Sequence, residues 1–175
     1  MALDIEDKGF EFRPFEDRDP VISVHDIIKE FQNGEEIRQV LKGVTLDIFP
    51  GELMVFLGES GCGKSTLLNM IAGILSPDKG EISIDGRAMS SASQKEKDKF
   101  RIEKIGFIFQ DFKLINEMTV ADNINILRLE GVDTSGMDEL LERLGISDKK
   151  NKKVKHLSGG QKQRVAIVRA LVKSP

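Results

Sequence analysis

The sequence predicts an α/β fold: a strand-rich front half built around one strand–loop–helix unit, followed by a helical second half. Three observations carry that expectation. The apolar run Leu53, Met54, Val55, Phe56, Leu57 reads as a buried strand and leads directly into the glycine-rich loop Gly58, Glu59, Ser60, Gly61, Cys62, Gly63, Lys64, Ser65, Thr66. Ahead of it, residues 21–27 and 43–49 alternate apolar and polar side chains with the period of half-buried strands. Behind Phe109 the pattern turns helical, with hydroxyl side chains at the starts of helices.

Taken in order, residues 21–27 form a first strand, Asn33-Gly34 a turn, and residues 43–49 a second strand. Pro50-Gly51 turns the chain into the run at 53–57. After the loop, Leu67, Leu68, Ile71, Ile74 and Leu75 recur at helical spacing until Ser76-Pro77 stops them. Residues 81–85 make a short strand closed by Gly86. The lysine-rich residues 91–101 suit a solvated helix or loop, and the continuous apolar run at 105–109 a buried strand. Thr119 with Asp122 caps a helix reaching at least Leu127. Residues 137–144 form another, ended by Gly145, and residues 148–156 a basic connector. Ser158 then caps the last helix, with Gln161 at the reciprocal third position. This divides the chain into an arm over residues 1–20 and a domain over 21–175, whose helical part covers about residues 111–172.

Bulk properties narrow the function classes. At 175 residues, 39% of them hydrophobic, the chain can bury one sizeable core. A net charge of −3 argues against a nucleic-acid partner. No apolar stretch approaches the ~20 residues that span a bilayer, and no signal-peptide pattern opens the chain. A single cysteine excludes an internal disulfide and suits a reducing cytosol. The expectation is a soluble cytoplasmic protein. The arm carries seven acids (Asp4, Glu6, Asp7, Glu11, Glu16, Asp17, Asp19) against Lys8, Arg13 and Arg18, with no sustained period, and reads as a solvated tail.

The loop at 58–66 fits the pattern G-x-x-x-x-G-K-[ST]. A triphosphate needs many donors close together, and glycines let successive backbone N–H groups point inward. Lys64 adds a point charge for the β- and γ-phosphates, and the Ser65 hydroxyl suits Mg²⁺, which prefers oxygen ligands. The bland alternative is a glycine turn that binds nothing. A chance match in a chain of this length has odds of roughly one in two hundred at ordinary residue usage, so the phosphate reading is preferred. Cys62, at a helix start, could carry a lowered thiol pKa and act as a redox switch, but a small side chain is reason enough for it there.

A second motif, Leu157, Ser158, Gly159, Gly160, Gln161, contains a helix cap in its own right. A cap does not need two glycines, which are poor helix formers. They make sense where a helix end, with its free N–H groups, must approach a phosphate closely.

Together the two motifs resemble the ATP-binding subunits of ABC transporters, over about residues 21–175. The resemblance implies a P-loop NTPase core of ABC type, with an antiparallel β subdomain and a helical subdomain bearing the signature Leu157 to Gln161. It implies that Ser158, Gly159 and Gly160 contact the γ-phosphate of ATP held by a second subunit, in a head-to-tail dimer that sandwiches two nucleotides. Gln110 matches a glutamine that touches Mg²⁺ and reports nucleotide state to membrane subunits. Phe31 matches an aromatic residue, often tyrosine in the family, that stacks on adenine. Residues 109–115 and 119–124 look most like the macrolide-export and lipoprotein-release branch. ATP, Mg²⁺, a second nucleotide-binding subunit and transmembrane permease subunits are the implied cofactors and partners. The implied location is the inner face of the cell membrane, reached through the permease.

The resemblance also implies a strand ending in Asp-Glu after the signature helix, and a later strand ending in His. Neither occurs before Pro175. Asp138-Glu139 lacks a preceding apolar run, and His25 and His156 stand in the wrong places. The expectation is a C-terminally incomplete domain without the general base, and with open strand edges. It should bind ATP but hydrolyse it poorly, since general-base assistance is worth ~10²–10⁴-fold. The alternative is a non-catalytic nucleotide-binding partner of an intact ATPase. A soluble ABC ATPase of repair or translation is disfavoured by the transporter-like Gln110 region and by the single phosphate loop.

Overall fold

A computed structural model describes residues 19–34 and 36–175. The acidic arm expected over residues 1–20 falls, up to residue 18, outside the described residues. The chain divides into two compact units. One runs to Ile71 and resumes over Leu75–Ser91, and the other comprises Ala72–Ile74 and Ala92–Pro175.

The first unit is built on an antiparallel sheet. Strands β1 (Ile22–Asn33) and β2 (Glu36–Ile48) form a long hairpin. Strand β3 (Lys79–Ile84) lies along the other edge of β1, and β4 (Arg87–Ala88) completes the order β2-β1-β3-β4. Both hairpin strands are longer than the alternating segments that announced them. Their core face carries Val24 and Ile27 of β1, Leu41 of β2, and Ile82 and Ile84 of β3, with Leu67, Met70 and Ile71 of helix α1 (Lys64–Ile71) also buried. Val24 and Ile27 are three residues apart, which strict alternation would send to opposite faces. A bulge resolves this: the register shifts between them, Asp26 takes φ 48°, and its N–H is taken up by Thr45 Oγ1 at 2.9 Å. Helix α1 stops at Ile71, short of the Leu75 to which apolar spacing extended it.

Two expected buried strands are corrected. Residues 53–57 form no regular element and belong to no ladder, and their backbones make no hydrogen bonds among the described residues. Leu53, Val55 and Leu57 are 88%, 62% and 89% exposed. In the second unit, residues 105–109 likewise form no regular element and join no ladder, and Ile108 is exposed. A continuous apolar run signals a sequence suited to burial on both faces. A strand also needs a neighbour to take its N–H and C=O groups, and no described strand lies beside either run.

The second unit is helical: α2 (Gln94–Lys104), α3 (Val120–Asn125) continued by a 3₁₀ turn (Ile126–Glu130), α4 (Met137–Arg143) and α5 (Gly159–Leu171). Its core joins Val120 and Ile124 of α3, Met137 and Leu141 of α4, and Val165 and Val168 of α5, with Ile146, Val154 and Leu157 from the connections. The spacing of Val165, Val168 and Val172 puts one face of α5 into that core. Reciprocal caps start three helices: Ser93 with Glu96, Thr119 with Asp122, and Ser158 with Gln161. The last two were legible in the sequence. The first turns the lysine-rich stretch into α2, on which Phe100 is buried. The basic connector is tied down by Lys150 to Asp138 (2.6 Å) and Lys155 to Glu117 (2.8 Å).

Candidate functional site

The glycine loop and the start of α1 form the most organised polar feature of the first unit. Gly58, Gly61 and Gly63 take φ of 156°, 80° and 103°, which turns the backbone around the Lys64 ammonium. Lys64 Nζ donates to the Gly58 carbonyl at 2.7 Å and the Glu59 carbonyl at 2.6 Å, and lies 3.4 Å from Cys62 Sγ. The backbone N–H groups of Gly63, Lys64, Ser65 and Thr66 have no acceptor among the described residues. Four free donors at a helix N-terminus, with an ammonium beside them, make a site for a polyanion. Glu59, Ser60, Cys62 and Ser65 are exposed, and Thr66 is half-buried.

Phe31 belongs to the same unit, on β1 opposite Arg38. Its ring is 42% exposed, so a face is open to stacking. Lys29 lies 5.7 Å from the ring centroid and pairs with Asp78 at 2.8 Å. Asp78 also accepts from the Glu30 N–H at 2.7 Å, which fixes the backbone next to Phe31. The hydrogen bond from Lys29, then that from Glu30, holds the Asp78 carboxyl below its ordinary value.

Gln110 and the signature residues lie in the second unit. Gln110 opens a turn and is exposed, and its amide makes no hydrogen bond among the described residues. Ser158 accepts from the Gln161 N–H at 3.3 Å while its own N–H donates to Gln161 Oε1 at 3.0 Å. The N–H groups of Gly159 and Gly160 have no acceptor among the described residues. A Cβ added to either glycine would meet no atom within 4 Å. Their lack of a side chain is therefore not explained by packing within the chain. It leaves an open, donor-bearing helix end. Among the described residues no three His, Cys, Asp or Glu gather as a metal site.

Sequence reasoning did not single out Arg169 on α5, whose guanidinium donates to the carbonyls of Phe112 (2.6 Å) and Lys113 (2.7 Å). Its burial lowers its pKa. Nor did it single out Asn123, 1% exposed, whose amide holds both backbone groups of Ile115. Their partners are main-chain groups, which carry no sequence signal.

Known proteins resemble this chain over most of its length. A family model described as ABC transporter matches residues 41–175. An uncharacterised ABC transporter ATP-binding protein, Rv0986 of Mycobacterium tuberculosis, is 41% identical over 90% of this chain, which spans 66% of that relative's length. The lipoprotein-releasing system ATP-binding protein LolD of Pseudomonas fluorescens is 38% identical, with 89% of this chain and 70% of LolD covered. A solved structure of the ATP-binding cassette MJ0796, dimeric, in a post-hydrolysis state and bound to ADP and Pi, superposes with a TM-score of 0.81. It is 37% identical, and 88% of this chain and 70% of that one are covered.

Proposed function

The chain belongs to the family of ABC transporter ATP-binding proteins, and from that premise we propose that it holds Mg²⁺-ATP for a transport step carried out by membrane permease subunits. The observation that carries this reading is the set of four unpaired N–H groups from Gly63 to Thr66 around the Lys64 ammonium. In this reading residues 58–66 wrap the phosphates, Ser65 and Gln110 hold the magnesium ion, and Phe31 stacks on adenine. Ser158, Gly159 and Gly160 face the γ-phosphate of ATP held by a second subunit. The free glycine N–H groups on α5 support that role, as does the dimeric state of the MJ0796 cassette. The likeness to LolD supports the lipoprotein-release branch. No helix among the described residues is long and apolar enough to cross a membrane, which suits a peripheral subunit held at the inner face by its permease.

Binding and hydrolysis are separable. The motifs assigned to the triphosphate contain no residue assigned to polarise the attacking water, so turnover by these residues is expected to be slow.

Titration with a fluorescent ATP analogue and Mg²⁺ tests the reading. Lys64→Ala should weaken binding at least about tenfold, the loss of one charge-assisted contact of ~1.5–3 kcal/mol. Equal affinity in the two proteins would remove the phosphate-loop assignment.

A further inference from the structure

Between Ile105 and Ile115 the chain is fastened to the rest of the second unit at its two ends, over residues 105–106 and 112–115. Lys173 donates to the carbonyls of Arg101, at 2.9 Å, and of Ile105. Gly106 passes so close to α5 that a Cβ there would sit 3.1 Å from the Ala170 carbonyl. Arg169 grips the carbonyls of Phe112 and Lys113. These two residues adopt φ of 60° and 45°, a left-handed conformation that is costly for any non-glycine residue. Two charge-assisted hydrogen bonds from a half-buried guanidinium offset that cost. Beyond them, Asn123 accepts from the Ile115 N–H at 2.7 Å and donates to the Ile115 carbonyl at 3.0 Å and the Thr119 carbonyl at 2.9 Å. Between these anchors stands Gln110, exposed, its side-chain amide without a hydrogen bond among the described residues.

We propose that Arg169 and Asn123 are positioning residues that fasten the Gln110 turn to the helix whose first residues are the signature glycines, so that both move as one body. A contact drawing Gln110 toward a bound metal ion is then felt at the N-terminus of α5. The bland alternative is that Arg169 and Asn123 only satisfy their own burial. The two readings differ in whether removing Arg169 matters when Gln110 is absent. The affinity arm of the test rests on the proposed Mg²⁺-ATP role of Gln110. The exchange arm does not.

The test uses the full chain with Arg169→Ala, Arg169→Lys, Gln110→Ala and the double variants. Hydrogen exchange over residues 109–116 should speed up about tenfold or more in Arg169→Ala, while amides over residues 163–168 keep their protection. Affinity for Mg²⁺-ATP should fall about tenfold, affinity for metal-free ATP should change little, and Arg169→Ala should add nothing to Gln110→Ala. Arg169→Lys, which keeps the charge and one donor, should fall between wild type and Ala in both readouts, and it decides the matter if the alanine variant does not fold. Unchanged exchange over residues 109–116, or an Arg169→Ala penalty equally large with and without Gln110, would overturn the proposal. A wild-type chain that binds no Mg²⁺-ATP would instead remove the functional reading, leaving exchange to judge the clamp.

Discussion

A methyl group added at Gly63 would sit 2.7 Å from Leu41 Cδ2 and 3.2 Å from the Val40 carbonyl, on a backbone already at φ +103°. The loop is thus pressed against β2 with no room for a side chain at the point where α1 begins. Gly63→Ala should lower stability by ~1–3 kcal/mol, through left-handed strain and crowding together. A urea midpoint equal to wild type would show that β2 yields without cost. At this scale legibility followed the range of the chemistry. Lys64, Ser65 and the loop glycines act within nine consecutive residues, so their pattern is visible in the chain. Arg169 reaches carbonyls 56 and 57 positions away, and carbonyls look the same in every sequence.

The helix starts at Thr119 and Ser158 were legible from a hydroxyl and its reciprocal partner three residues apart, whereas the same arrangement at Ser93 and Glu96 was passed over in a lysine-rich stretch. Thr119 offers a clean test, because its box uses a carboxylate. The Thr119 hydroxyl, then the Thr119 N–H, holds the Asp122 carboxyl below its ordinary value of about 3.9. A depressed carboxyl contributes fully above the unfolded value and loses its contribution as pH falls through the lower folded value. Thr119→Ala should therefore cost about 1 kcal/mol at neutral pH, with the gap from wild type narrowing below pH about 4. Denaturant unfolding at pH 7 and pH 3 measures this, and a gap independent of pH would exclude Asp122 from the cap. Strands were harder to read. Alternation found part of β1 and part of β2 but not the bulge at Asp26, since an inserted residue breaks the period without a residue type that announces it. The runs at 53–57 and 105–109 have strand composition, but ladders depend on neighbours that a local pattern does not contain.

At the scale of the whole molecule, the α/β class and the change from strands to helices were legible because each half has its own periodicity. The division into two units was not, because Ala72–Ile74 joins the later residues while Leu75–Ser91 returns to the earlier ones. The exposed row of Leu53, Val55 and Leu57 has a calorimetric consequence. Unfolding raises heat capacity chiefly by wetting apolar surface, and side chains already wet add nothing to it. The increment should fall below the usual ~12–15 cal/mol/K per residue, which flattens the dependence of stability on temperature. Scanning calorimetry reads this directly. An increment at or above the usual range would mean that in solution something covers that row.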